Sequence, residues 1–108
     1  MMGDYIQAYT TTASREDAQN IADALVERRL AGCVQIVGPI ISTYRWQGKI
    51  DHVDEWLCVI KSAQHLYDEL ERTIAAHHPY DTPEIIAVPM VAGSQGYLQW
   101  LSQELQQR

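Results

Sequence analysis

Apolar positions along this chain switch between two spacings, and each switch marks an element. Residues 5–11 are rich in aromatic and β-branched side chains, the composition of a first strand. Ala18, Ile21, Ala22, Leu25 and Val26 then recur at helical spacing, opposite Glu16, Gln19, Asp23 and Glu27. Ser14 is placed as the N-cap, with Asp17 three residues on to close a capping box. Arg28 and Arg29 fall in the expected last turn, where positive charge complements the carbonyl end of the dipole. Gly32 is expected to end the helix.

Residues 33–37 and 40–46 read as one long strand broken at Gly38-Pro39, because a residue without an N–H requires a bulge or an edge. Gln47-Gly48 is the turn, and residues 49–62 return as a second long strand. Alternation puts Trp56, Cys58 and Ile60 on one face, with Glu55, Leu57, Val59 and Lys61 on the other. Both faces therefore carry apolar side chains. A helix is predicted over 63–77, with Ala63, Leu66, Tyr67, Leu70 and Ile74 as its stripe. It stops at His78, since the residue before Pro79 is pushed out of the helical region. A loop over 79–83 leads to a short apolar strand over 85–88, limited by Pro89. Tyr97, Leu98, Leu101 and Leu105 suggest a closing helix. Two right-handed βαβ units joined by a hairpin predict an α+β fold, a ferredoxin-like βαββαβ sandwich with a C-terminal helix, in one domain over residues 1–108.

One dimension goes further. Fourteen extended residues from Cys33 to Trp46 span on the order of 45 Å, at about 3.3 Å each. A compact domain of this length has a radius of gyration near ~13 Å and a diameter of roughly 35 Å. The hairpin then overhangs its own domain and carries Tyr44, Trp46, Ile50, Val53 and Trp56 into water. Such a hairpin is an aggregation hazard unless a partner covers it, and the simplest partner is another copy of the chain. The alternative is a strand folded back over its own sheet at Gly38-Pro39.

Composition narrows the function. The net charge is −6 and there are only two lysines, Lys49 and Lys61, which argues against a nucleic-acid groove or a polybasic membrane patch. No apolar run approaches the ~18–20 residues that span a bilayer, and the first residues lack the basic and apolar regions of a signal peptide. Cys33 and Cys58 are too few and too far apart for a disulfide scaffold or a C-x-x-C site, so a reducing, cytoplasmic setting is expected. Both read first as small core side chains. No phosphate-binding loop, dinucleotide fingerprint or H-E-x-x-H is present, and no acid–base pair or activated nucleophile is legible, so no enzyme is expected.

Two groupings carry candidate chemistry. His77 and His78 stand beside Asp81 and Glu84 in a loop shaped by Pro79 and Pro83, offering imidazole and oxygen ligands to a copper- or zinc-like ion. Against this, His77 could complement the helix C-terminus while His78 bonds a backbone carbonyl. The second grouping places Ser42, Tyr44 and Trp46 on one strand face, with Glu55 and Lys61 on the returning strand. That polar–aromatic stripe suits an oligomer interface first and a small-ligand cleft second.

Read in order, Thr10-Thr11-Thr12, Leu30-Ala31-Gly32-Cys33-Val34, Ser42-x-Tyr44-x-Trp46-x-Gly48-Lys49, His78-Pro79-Tyr80-x-x-Pro83-Glu84 and Tyr97-x-x-Trp100-Leu101 resemble the CutA family of divalent-cation tolerance proteins over essentially the whole chain. The resemblance implies a ferredoxin-like fold and a homotrimer whose long hairpins pair with neighbouring sheets. It implies tolerance of copper or other divalent cations, with metal ligation at His77 and His78. It also implies a cysteine on the first strand, where this chain has Thr11, a poor copper ligand. The family trimer looks like the PII signalling proteins, which implies an alternative: a small anion or metabolite bound between subunits near Tyr44, Lys61 and Glu84.

Overall fold

The fold is that of a computed structural model describing residues 4–107. Its elements are β1 (Tyr5–Thr12), α1 (Arg15–Glu27), β2 (Cys33–Trp46), β3 (Lys49–Ala63), α2 (Tyr67–His77), β4 (Ile86–Pro89) and α3 (Gln95–Glu104), with a 3-10 turn at Gln64–Leu66. The strands form one antiparallel sheet in the order β2-β3-β1-β4. Each βαβ unit therefore straddles a strand of the other, as the ferredoxin-like arrangement requires.

The core lies on one face of the sheet. Ile6 and Ala8 of β1 and Cys58 and Ile60 of β3 pack with Ile21 and Leu25 of α1 and Leu70 and Ile74 of α2. The opposite face follows from alternation through the register and carries Tyr9, Val37, Leu57, Val59, Ile86 and Val88. Val37, Ile86 and Val88 on that face are exposed.

β2 and β3 run together to a two-residue turn at Gln47-Gly48, both with positive φ (52° and 79°), the twist that closes a tight hairpin. The register shifts between Val37 and Ile40, so the Gly38-Pro39 break is a bulge on an edge strand. The domain measures 48 × 25 × 21 Å, and Ile41, Tyr44, Trp46 and Ile50 of the hairpin are exposed. Trp56 is a correction to the expected overhang. It belongs to the core face, half-buried, with its indole under the bulge. A Cβ at Gly38 would lie 2.6 Å from Trp56 Cδ1, so only glycine lets the strand pass over the ring.

Ser14 caps α1 as expected, accepting from the Asp17 N–H at 3.1 Å. The other end differs from expectation. The helix stops at Glu27, five residues before Gly32, and Arg29 takes the left-handed conformation at φ 59°. Arg29 N–H donates to Val26 O and Leu30 N–H to Leu25 O, while buried Leu25 and Leu30 close the apolar side of this Schellman turn. An arginine stands where glycine is usual because its guanidinium works elsewhere. Nε donates to Glu104 O at 3.0 Å and Nη2 to Gln103 O at 2.8 Å, serving the carbonyl end of α3 rather than that of α1. Gly32 is small for a packing reason, since a Cβ there would meet Leu101 Cδ1 at 2.5 Å.

Three smaller differences complete the comparison. Ala63 ends β3, paired with Tyr5, instead of opening the helix. β4 starts at Ile86 and includes Pro89, which an edge strand tolerates. Tyr97 lies off the buried stripe of Leu98, Leu101 and Leu105, stacked on exposed Trp100 at 5.6 Å between ring centroids.

Arg29→Ala is expected to lose about 1–2 kcal/mol in denaturant unfolding, and Arg29→Gly less, because glycine relieves the left-handed backbone while losing the same hydrogen bonds. Equal losses would show that the backbone conformation contributes nothing. Thr10 Oγ1 is buried without a hydrogen-bond partner. Thr10→Val should therefore be neutral or stabilising by up to about 1 kcal/mol, and a loss above that would reveal a bond to the hydroxyl.

Candidate functional site

The segment after α2 is held to the sheet by one imidazole. α2 ends at His77, and His78 turns extended at φ −92°, ψ 133°. His78 is buried beside the end of β1. Its Nε2 lies 2.8 Å from Thr11 O, and its Nδ1 accepts from the Tyr80 N–H at 3.2 Å. A carbonyl can only accept and an N–H can only donate, so the ring holds its proton on Nε2 and both nitrogens are occupied. The Tyr80 ring leans on the imidazole at 4.7 Å between centroids.

This brace delivers Tyr80 to Glu55. The Tyr80 hydroxyl donates to Glu55 Oε2 at 2.7 Å. Glu55 is only 6% exposed. Burial, then the hydrogen bond to Glu55 and its charge, push the Tyr80 phenol well above the usual tyrosine value, with Tyr44 and Asp17 adding to the effect. Ser14 holds the neighbouring chain turn, where Thr12 Oγ1 donates to Ser14 O at 2.7 Å. Sequence reasoning missed the Glu55–Tyr80 pair. Alternation gave the face of Glu55, and the HPY segment singled out Tyr80, but nothing local brings a β3 residue to a loop 25 positions on.

In the protomer His77 and His78 are each drawn to a different backbone carbonyl, Thr73 O and Thr11 O, rather than being left free together. His77 Nδ1 lies 2.9 Å from Thr73 O, a carbonyl of the last turn of α2, which leaves only Nε2 open at the exposed ring. The physical reason is the competing pull of backbone carbonyls, the alternative raised by the sequence. Among the described residues no group of three or more His, Cys, Asp or Glu gathers to hold a metal ion. His78 reaches the Thr11 backbone and not its side chain, so the Thr11 substitution leaves that bond untouched.

The second grouping separates as well. Ser42, Tyr44 and Trp46 share the face of Glu55 and Lys61, but Tyr44 pairs with Asp51, ten residues along β3 from Lys61. That is roughly 33 Å of extended strand. Lys61 Nζ donates to Gln35 Oε1 at 2.8 Å rather than meeting Glu55. Glu84 is exposed ahead of β4. Tyr44, Lys61 and Glu84 thus form no common site within one protomer. Cys58 is buried in the core beside Ala18 O, and burial pushes its thiol up to about 11. Cys33 is half-buried opposite Lys61.

The family model described as CutA1 divalent ion tolerance protein matches residues 6–104. A Thermus thermophilus divalent-cation tolerance protein CutA is 46% identical over 91 residues, covering 84% of this chain and 88% of that protein. A chloroplastic CutA from Arabidopsis thaliana is 43% identical over 96 residues, covering 89% of this chain and 53% of that protein, so the chain spans about half of that relative. The crystal structure of CutA1 from Oryza sativa superposes with a TM-score of 0.96 at 36% identity, over 99% of this chain and 98% of that one. The chain belongs to the CutA1 family of divalent ion tolerance proteins.

Proposed function

We propose that this chain acts in divalent-cation tolerance as a non-catalytic homotrimer that meets copper or another divalent ion weakly at its surface. The observation that carries the reading is the overhanging hairpin. Ile41 is 73% exposed, Ile50 62% and Trp46 60%, and the open sheet face adds Val37, Ile86 and Val88. Apolar surface of this extent on an acidic protein is an interface, and a second copy supplies a matching one. Both sheet edges, β2 and β4, offer unpaired backbone groups to it. The threefold count comes from the family resemblance.

The cation contact rests on His77. A single open imidazole nitrogen supports low affinity, since strong sites for copper or zinc collect three or four ligands. His78 would have to surrender two hydrogen bonds to join it. Any function of the protein toward such ions then runs through weak surface contact and the assembled trimer, since among the described residues no group of three or more metal-ligating side chains gathers.

Light scattering is expected to give about three times the 12.3 kDa chain mass, with unfolding that depends on protein concentration. Trp46→Ala should cost about 3 kcal/mol of that stability, by analogy with buried aromatics. A monodisperse monomer, or a loss under about 0.5 kcal/mol, overturns the assembly. In Cu(II) calorimetry, His77→Ala should weaken binding about tenfold, or ~1.4 kcal/mol. His78→Ala should leave the affinity unchanged while lowering stability by about 1–3 kcal/mol. Loss of copper binding in a folded His78→Ala variant would place the ion on the ring that is closed here.

A further inference from the structure

Glu55 is the only carboxylate among the buried residues described, and its surroundings leave its charge unanswered. Its one hydrogen bond comes from the neutral Tyr80 hydroxyl. The basic groups that do bond are committed elsewhere, Lys61 to Gln35 and Arg29 to the carbonyls ending α3. A carboxylate withdrawn from water is unfavourable unless a cation or further donors answer it. The chain's charge of −6 deepens the cost, because the surrounding field is already negative.

The second oxygen of Glu55 shows where the answer enters. Thr10 Oγ1 is the only side-chain polar atom of the described residues that is both sealed from solvent and without a partner. Oε1 of Glu55 has no hydrogen bond either, so it is not sealed. It keeps the small solvent access that a residue 6% exposed allows. The register places this oxygen's residue at the step where β1 ends. Thr12 of β1 pairs with Trp56, and one residue further out Glu55 has only Ile40 of β2 beside it. Tyr80 covers the other side. A free carboxylate oxygen thus lies beside the oxygen of a phenol that is already donating, two acceptors side by side.

We propose that Glu55 and Tyr80 form a receiving site for an ammonium or guanidinium group brought from outside the protomer. Two adjacent acceptors with one negative charge match a forked N–H donor that carries the opposite charge. A divalent metal fits poorly, since among the described residues no group of three or more His, Cys, Asp or Glu gathers to hold one. The group comes from a second copy or from a free organic cation. The second copy is the better source, because Arg45 and Lys49 stand exposed at the hairpin tip, carried clear of their own domain. Only this choice of source rests on the trimer reading; the site itself does not.

Glu55→Gln keeps the size of the side chain and the acceptor for Tyr80, so it isolates the charge. Subunit association is measured by sedimentation over a dilution series at low and high salt. Methylguanidinium is titrated in parallel and followed by the NMR signals of Tyr80. With a copy as the source, Glu55→Gln weakens association about tenfold and flattens its salt dependence. The exposed pair Arg45→Gln/Lys49→Gln, remote from the core, then reproduces the loss. With a free cation as the source, association is unchanged, while methylguanidinium saturates the wild type and not the variant. A wild-type monomer that still binds methylguanidinium refutes the trimer and leaves the site standing. Unchanged association together with no methylguanidinium binding overturns the site. So does a carboxyl carbon shift showing Glu55 protonated at neutral pH.

Discussion

The unequal lengths of two neighbouring strands organise the rest of this molecule. β3 has 15 residues and β1 has eight. β1 therefore flanks β3 only from Trp56 onward, while β2 accompanies it all the way to the turn. Where three strands become two, the sheet loses its cover from α1 and α2 and continues as a bare ribbon. An isolated two-stranded ribbon is marginal in water, so its persistence here requires something to lie against it. The step also leaves a vacant place beside β3, and the chain after α2 fills it. His78 is fastened to the Thr11 carbonyl near the end of β1, and Tyr80 to the first β3 residue beyond the β1 pairing. The hairpin, the buried acid and the HPY loop are three results of one mismatch.

Most of the fold was legible because it rests on period and punctuation. The 3.6-residue stripe of α1, the Ser14 cap, the Gln47-Gly48 turn and the interruption at Gly38-Pro39 are local signals. The overhang was legible too, since extended length against domain diameter is arithmetic. What failed shares one cause. Arg29 in place of glycine, the need for a bare Gly32 and the withdrawal of Trp56 from water all depend on a residue distant in sequence: Gln103 and Glu104, Leu101, or the bulge at Gly38. Tertiary contact overrides a local rule there, and a single sequence does not display the partner.

The candidate site was legible in part for the same reason. The HPY loop announced itself through its prolines and paired histidines. Which imidazole nitrogen meets which carbonyl is decided by where β1 ends relative to α2, and that is a property of the sheet register. Glu55 is the sharper case. Its alternation with Leu57 and Val59 gave the correct face and grouped it with Lys61 in one polar–aromatic stripe. The two stand six positions apart along the strand, roughly 20 Å, and each found another partner.

The fastening of α3 has a consequence for how the chain acquires its shape. Arg29 binds Glu104 O across 75 residues, and Gln106 returns two further bonds to Arg28 and Arg29. Closing so long a loop costs entropy before it yields any contact. The surface that receives α3 consists of the end of α1, Leu30 and the bare backbone of Gly32, which is itself bonded to Lys61 of β3. That platform exists only once α1 and the central strand are in place. The last helix thus sits as a keystone on contacts made far back along the chain, and shortening the chain by its final turn would strip a cover from residues near its beginning.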